Sequence, residues 1–94
     1  MRSVSHLFIS GRVQGVGFRY FAARLASKYN ICGFVRNLLN GDVEVYAEGE
    51  KDDLDRFRLQ VKTGPSCALV TRVGENDVPM ISASFNSFDI LEDE

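Results

Sequence analysis

Hydrophobic and polar positions change period several times along this chain, and the changes outline its elements. Leu7-Phe8-Ile9 through Val13 is a β-rich run ending in glycine-bearing sequence, which predicts a first strand. From Phe18 to Tyr29 the apolar residues fall at Phe18, Phe21, Ala22, Leu25, Ala26 and Tyr29. Spacings of three and four put them on one face of a helix, and Asn30 supplies its stop. Ile31 to Leu38 returns to strand character. Asn40-Gly41 then signals a hairpin, because both residues tolerate positive φ. Asp42 to Glu48 alternates, with Val43, Val45 and Ala47 facing one way and Glu44, Tyr46 and Glu48 the other. A second helix is predicted from Glu50 to Lys62, with acids in its first turn and an apolar stripe of Leu54, Phe57 and Val61. Gly64-Pro65 stops it. A fourth strand from Ala68 to Val73, a loop with Gly74 and Pro79, and a short last strand near Phe85 to Leu91 complete the pattern.

Strand, helix, strand, strand, helix, strand, strand is an α+β order. Its first six elements match the split β-α-β arrangement of ferredoxin-like sandwiches, with both helices on one face of a mostly antiparallel sheet. In the usual 4-1-3-2 order, strands 1 and 2 run the same way. Their C-terminal ends then share one edge of the sheet. The loop from Gln14 to Arg19 and the end of strand 2 are therefore expected to be neighbours.

Composition narrows the function classes. A chain of 94 residues is expected to form one domain, residues 1–94, and its 45% hydrophobic and 26% charged content is ordinary for a globular protein. Net charge is −2, from 11 Lys and Arg against 13 Asp and Glu, so a generally basic nucleic-acid binder is disfavoured and any anion site must be local. The apolar start, Leu7 to Ile9, is too short for a signal-peptide core, and no stretch approaches the roughly 20 apolar residues of a membrane helix. A cytoplasmic protein is expected. Cys32 and Cys67 make neither a disulfide framework nor a metal motif. Cys32 begins the second strand and Cys67 precedes the fourth, strands expected on opposite edges of the sheet, roughly 14 Å apart, beyond the reach of a bridge. The acidic end, Glu92 to Glu94, is expected to fray.

Candidate chemistry concentrates in Gly11-Arg-Val-Gln-Gly-Val-Gly-Phe-Arg19, which leaves a strand and enters a helix. Its glycines let the backbone curl so that successive N–H groups point at one anion. The helix N-terminus adds free donors and partial positive charge. Arg19 falls in the first turn, where its planar fork can take two phosphate oxygens at once, and no acid in the loop competes for it. A Walker A loop is excluded because no Gly-Lys-Ser or Gly-Lys-Thr occurs. A dinucleotide fingerprint is excluded because Tyr20 stands at its third glycine. One strong cation suits a single phosphoryl group.

The residues around that loop restrict the phosphate chemistry. Cys67 and Arg72 are one residue too close for a cysteine phosphatase loop and sit in strand sequence. Asp53 and Asp55 lie on the second helix rather than after a strand, so an aspartyl nucleophile is not supported. His6, the only histidine, precedes the first strand and reads as structural or solvated. No metal-ligand cluster is visible. With no acid or metal beside the loop, a phosphate ester with its basic alkoxide leaving group is a poor substrate. An acyl phosphate departs as a carboxylate of pKa about 4 and needs no general acid. Positioning and charge stabilisation can then suffice. Asn37, near the end of strand 2, is the candidate to orient the attacking water, since its carboxamide both donates and accepts. A plain strand-end asparagine remains the alternative reading at this point.

GRVQGVGFR from Gly11 to Arg19, GFVRN from Gly33 to Asn37, and the downstream GDVEVYAEG and GPSCALV resemble the acylphosphatases over nearly the whole chain. The resemblance implies a five-stranded ferredoxin-like sandwich and cofactor-free, metal-independent hydrolysis of carboxyl-phosphate bonds. It implies that Arg19 is the catalytic arginine that binds the phosphate. It implies that Asn37 is the catalytic asparagine that orients water, and that the backbone amides of Gln14, Gly15, Val16, Gly17 and Phe18 complete the cradle. A monomer acting on a small-molecule acyl phosphate is expected, with inorganic phosphate or sulfate able to occupy the same cradle. No nucleic-acid or membrane partner is expected. Two features depart from the family pattern. The hairpin reads Asn37-Leu-Leu-Asn-Gly, without the more usual polar residue after the asparagine, and Gly74 to Ser84 matches little.

Other readings are weaker. A non-catalytic phosphate- or anion-binding module would need the loop and Arg19 but not Asn37. An acylphosphatase-like domain of a larger carbamoyl-transfer protein would be followed by further domains, whereas this sequence ends at Glu94. An RNA-binding ferredoxin-like domain would carry basic and aromatic residues in its third strand, where this chain has acids.

Overall fold

The protein was analysed as a computed structural model that describes residues 2–77 and 85–94. Strand β1 (Arg2–Arg12) leads into helix α1 (Phe18–Tyr29). Strands β2 (Cys32–Asn37) and β3 (Val43–Glu50) form a hairpin before helix α2 (Lys51–Thr63). Strands β4 (Leu69–Asp77) and β5 (Phe88–Ile90) follow. Helix α1 begins and ends where its apolar spacing predicts. Asn30 caps it in the left-handed region at φ 56°, donating its N–H to the Ala26 carbonyl.

The sheet order is β4-β1-β3-β2-β5. β3 pairs antiparallel with both β1 and β2, so β1 and β2 run the same way and their C-terminal ends share an edge. β5 lies outside β2 and parallel to it. This corrects the expectation that β2 is an edge strand, although β2 and β4 remain three strand spacings apart. Both cysteines are free.

β1 starts earlier than its apolar run, because Arg2 to Ser5 continue the ladder opposite Glu50 to Ala47. β4 runs on through Gly74, which pairs with Phe8 and so belongs to the sheet rather than to a loop. The other loop marker, Pro79, lies outside the described residues. The connection between β2 and β3 is also wider than a two-residue Asn-Gly turn. The Leu38 N–H donates to Asp42 at 2.9 Å and the Gly41 N–H to Leu38 at 3.1 Å. Only Gly41 takes positive φ, at 97°, while the Asn40 Oδ1 accepts the Asp42 N–H at 2.9 Å. That is a turn closed by a left-handed glycine, with the asparagine acting through its side chain.

The predicted stripes meet in one core. Phe18, Ala22, Leu25 and Ala26 from α1 and Leu54, Phe57 and Val61 from α2 pack against Leu7, Ile9, Val35, Val43, Val45 and Ala47 of the sheet. Each large side chain there contributes about 1.5–3 kcal/mol by leaving water. The opposite face of β3 is covered as well, because β3 is the central strand and its neighbours carry long side chains. Glu44, Tyr46 and Glu48 are all buried. Tyr46 stacks on Phe34, and the Glu48 Oε1 accepts the Phe85 N–H at 3.0 Å. Burial, and then the charge of Glu48, push the Tyr46 phenol above its ordinary pKa.

One close approach yields a stability prediction. Gly33 sits at φ 138°, and a Cβ there would lie 1.9 Å from the Tyr46 carbonyl oxygen of the paired strand. Gly33→Ala must strain the backbone and push β2 from β3, at a combined cost of about 3 kcal/mol or more. For a domain of this size the melting temperature should fall by roughly 12 °C or more. Thermal unfolding followed by circular dichroism checks it. A variant melting with wild type would mean that β2 is not seated against Tyr46.

Candidate active site

The loop between β1 and α1 is fixed at both ends. Val13 and Phe18 are buried in the core, and Val16 packs against it. Between them Gly15 and Gly17 take φ 75° and 79°, and Gly17 is the helix N-cap. A Cβ at either would meet nothing within 4 Å, so glycine is required there by conformation and by the open approach to the backbone rather than by crowding. The first bond of α1 runs from the Phe21 N–H to the Gly17 carbonyl at 3.0 Å. The N–H groups just before Phe21 therefore have no partner within the helix, and no acid occupies its first turn. Curled backbone, free donors and the dipole end of α1 together form a cradle suited to one anion.

Gln14 does more than lend its amide. Its side-chain Nε2 donates to the Leu38 carbonyl at 2.8 Å and to the Asp42 carbonyl at 2.9 Å. The cradle is thereby fastened to the β2–β3 hairpin one residue beyond Asn37. Sequence reasoning missed this anchor. The only signal is a polar residue at the strand end of a glycine loop, and the partners lie far along the chain.

Arg19 and Asn37 are brought to the same edge, as the parallel course of β1 and β2 requires. Arg19 is about one-third exposed, and its Nη1 donates to the Asp93 Oδ1 at 3.1 Å. The Asn37 carbonyl accepts the N–H of the next residue, Glu94, at 3.0 Å. Consecutive tail residues thus touch both. This overturns the expectation of a frayed acidic end, which is held, and it gives Arg19 an acidic partner from outside the loop. The loop itself contains no acid, so the partner could come only from a distant segment.

Asn37 is buried, and its side-chain Oδ1 has no hydrogen-bond partner among the described residues. A buried acceptor left unmet costs about 1–3 kcal/mol; Tyr46 Oη and Glu48 Oε2 are in the same state, but they lie within β3, whereas Asn37 ends β2. Chemically, the loop and Arg19 offer amide donors and a guanidinium suited to an anion. At the end of β2, Asn37 adds a carboxamide able to accept a hydrogen bond from a small donor. His6 stands apart, bonded to Glu44 at 2.7 Å. Two surface grooves, one lined by Lys51, Asp55 and Arg58 on α2 and one by Phe21, Arg24 and Lys28 on α1, include neither Arg19 nor Asn37. Among the described residues no three His, Cys, Asp or Glu side chains are placed to hold a metal ion. No described helix is long and apolar enough to cross a membrane.

Comparison with known proteins converges on one family. The acylphosphatase family profile matches residues 5–90. An acylphosphatase of Archaeoglobus fulgidus is 51% identical over 67 residues, covering 71% of this chain and 75% of that protein. One from Pseudothermotoga lettingae is 47% identical over 83 residues, covering 88% and 91%. The crystal structure of acylphosphatase from Bacillus subtilis superposes with a TM-score of 0.88 at 35% identity, over 97% of this chain and 99% of that one. The chain therefore belongs to the acylphosphatase family and is an acyl phosphate hydrolase with the ferredoxin-like fold.

Proposed function

We propose that Arg19 and the backbone amides of Gln14 to Phe18 hold the phosphoryl group of an acyl phosphate while Asn37 orients a water for in-line attack on phosphorus. The products are a carboxylate and inorganic phosphate. The single observation that carries the reading is the buried, unpartnered Oδ1 of Asn37 on the same sheet edge as Arg19. An acceptor aimed at a water proton aligns an oxygen lone pair without removing a proton. Because the leaving carboxylate is a weak base, no general acid is needed, and charge stabilisation by the fork and amides carries the rest.

The same proposal makes residues 1–94 one catalytic domain that works as a monomer without metal. Its two free cysteines suit a reducing, cytoplasmic setting. Hydrolysis of a synthetic aryl acyl phosphate should persist undiminished in excess EDTA. Inorganic phosphate, as product, and sulfate, as its isostere, should inhibit competitively. Loss of turnover on chelation with recovery in magnesium would contradict the metal-free mechanism, and noncompetitive inhibition would move the anion site elsewhere. Binding of phosphate without any turnover would return the chain to the non-catalytic anion-binding reading.

A further inference from the structure

The loop between β1 and α1 has two unlike neighbours along the edge of the sheet. β1 pairs with β3 only as far as Ile9 opposite Val43, and the β2–β3 ladder ends in the same row, with Asn37 opposite Val43. Beyond Ile9, β1 keeps one partner, β4, with Gly11 opposite Val70 and Arg12 opposite Leu69. On one side, then, the Gln14 side chain ties the loop to the hairpin that carries Asn37. On the other side lies the start of β4, because β1 stands between β4 and β3 in the sheet. The β1–β4 approach is tight there. Gly11 takes φ 124°, and a Cβ on it would collide with the Leu69 carbonyl. The start of β4 is therefore fixed in relation to the loop.

Leu69 is the side chain that β4 presents at this point. Its neighbours Ala68 and Val70 pack against the core, so strand alternation turns Leu69 the other way, and it is 63% exposed. A single exposed leucine is ordinary by itself. What distinguishes this one is its direction from Asn37. In an in-line displacement the entering and leaving oxygens lie on opposite sides of phosphorus. Attack forms a P–O bond from water and breaks the P–O bond to the acyl oxygen, which departs with its electron pair as carboxylate. Both protons of the water stay with the phosphate product. A water held at Asn37 enters from the hairpin side, so the acyl group departs on the far side of the cradle, where β4 begins. Leu39, 91% exposed and two residues beyond Asn37, stands on the entering side.

We propose that Leu69 is a specificity-determining residue, an apolar contact for the acyl group that favours acyl phosphates with a large apolar acyl part. This rests on the reading of Asn37 as the holder of the attacking water. The test compares kcat/KM for benzoyl phosphate and acetyl phosphate, with the inhibition constant of inorganic phosphate and the melting temperature, in Leu69→Ala, Leu69→Thr and Leu39→Ala. Both Leu69 variants should lower kcat/KM for benzoyl phosphate by roughly threefold to tenfold and for acetyl phosphate by less than about twofold. Phosphate inhibition should be unchanged, because the cradle is untouched, and an exposed position should leave melting within a few degrees of wild type. Leu69→Thr keeps a β-branched residue in the strand, so the preference is measured even if the alanine variant melts lower. Leu39→Ala should leave the ratio of the two substrates as it is. An unchanged ratio in both Leu69 variants would overturn the proposal, and so would a ratio that moves with Leu39 instead. Failure of the underlying reading looks different, since it would show as an Asn37→Ala variant with undiminished kcat on both substrates.

Discussion

Arg19→Lys is expected to lose nearly as much activity as Arg19→Ala. Lysine keeps the positive charge at the helix N-terminus but replaces a planar fork with a point charge on a flexible stem. The fork has two tasks here. One terminal nitrogen is tied to Asp93 at 3.1 Å, and on the proposed mechanism the remaining donors take the phosphoryl oxygens. An ammonium serving Asp93 cannot also present two parallel N–H groups to adjacent phosphoryl oxygens. Removing such a donor set from a preorganised anion site costs about 3 kcal/mol or more of transition-state stabilisation, roughly a hundredfold or more in kcat/KM. Steady-state kinetics on both variants decide it. A lysine variant with near-normal turnover would reduce Arg19 to a general electrostatic role.

Asn37→Ala should separate binding from chemistry. On the proposed mechanism the Gln14–Phe18 backbone and Arg19 hold the phosphoryl group, and the loop is fastened to the hairpin through the Gln14 side chain at Leu38 and Asp42 rather than through the Asn37 side chain. The Asn37 backbone carbonyl that receives Glu94 survives the substitution. Phosphate should therefore bind with similar affinity while kcat falls by about a hundredfold or more, since placing a reactant can supply several kcal/mol of the barrier. Asn37→Asp should also fail although it is nearly isosteric. Its charge would be buried at a position only 7% exposed, would repel the phosphoryl oxygens, and would remove the amide donor. Phosphate affinity and kcat measured for both variants give the answer. Parallel loss of phosphate binding in the alanine variant would make Asn37 an anion ligand, and a fully active aspartate variant would make the chemistry base-catalysed.

What could be read from sequence was whatever local periodicity or stereochemistry controls. Helix α1 declares itself through three- and four-residue spacing, and Asn30 through its tolerance of the left-handed cap. The Leu54, Phe57 and Val61 stripe is buried as predicted. The curl of the loop before α1 was legible because glycine takes positive φ without strain, as Gly15 and Gly17 do. Features set by distant contacts left no such trace. β5 has only three residues, too few to show a period, and its place outside β2 follows from pairing alone. The length of β1 depends on the ladder opposite β3, not on its own apolar run. The three acids that end the sequence read as a frayed tail by composition. Their anchorage depends on Arg36 and on backbone partners in β2. The hairpin signal gave the right place but the wrong turn, because Asn40 uses its side chain where the dipeptide rule expects its backbone.

The central claim is that this site attacks phosphorus, not the carbonyl carbon, with a water placed beside a cradled phosphoryl group. The most direct measurement is hydrolysis of an aryl acyl phosphate in oxygen-18 water, with both products analysed by mass spectrometry. Heavy oxygen should appear in the inorganic phosphate and not in the carboxylate, and this should hold in excess EDTA. Label in the carboxylate would mean attack at carbon, and a cradle formed by Arg19 and the Gln14–Phe18 amides would then be binding the leaving group instead of the reacting one.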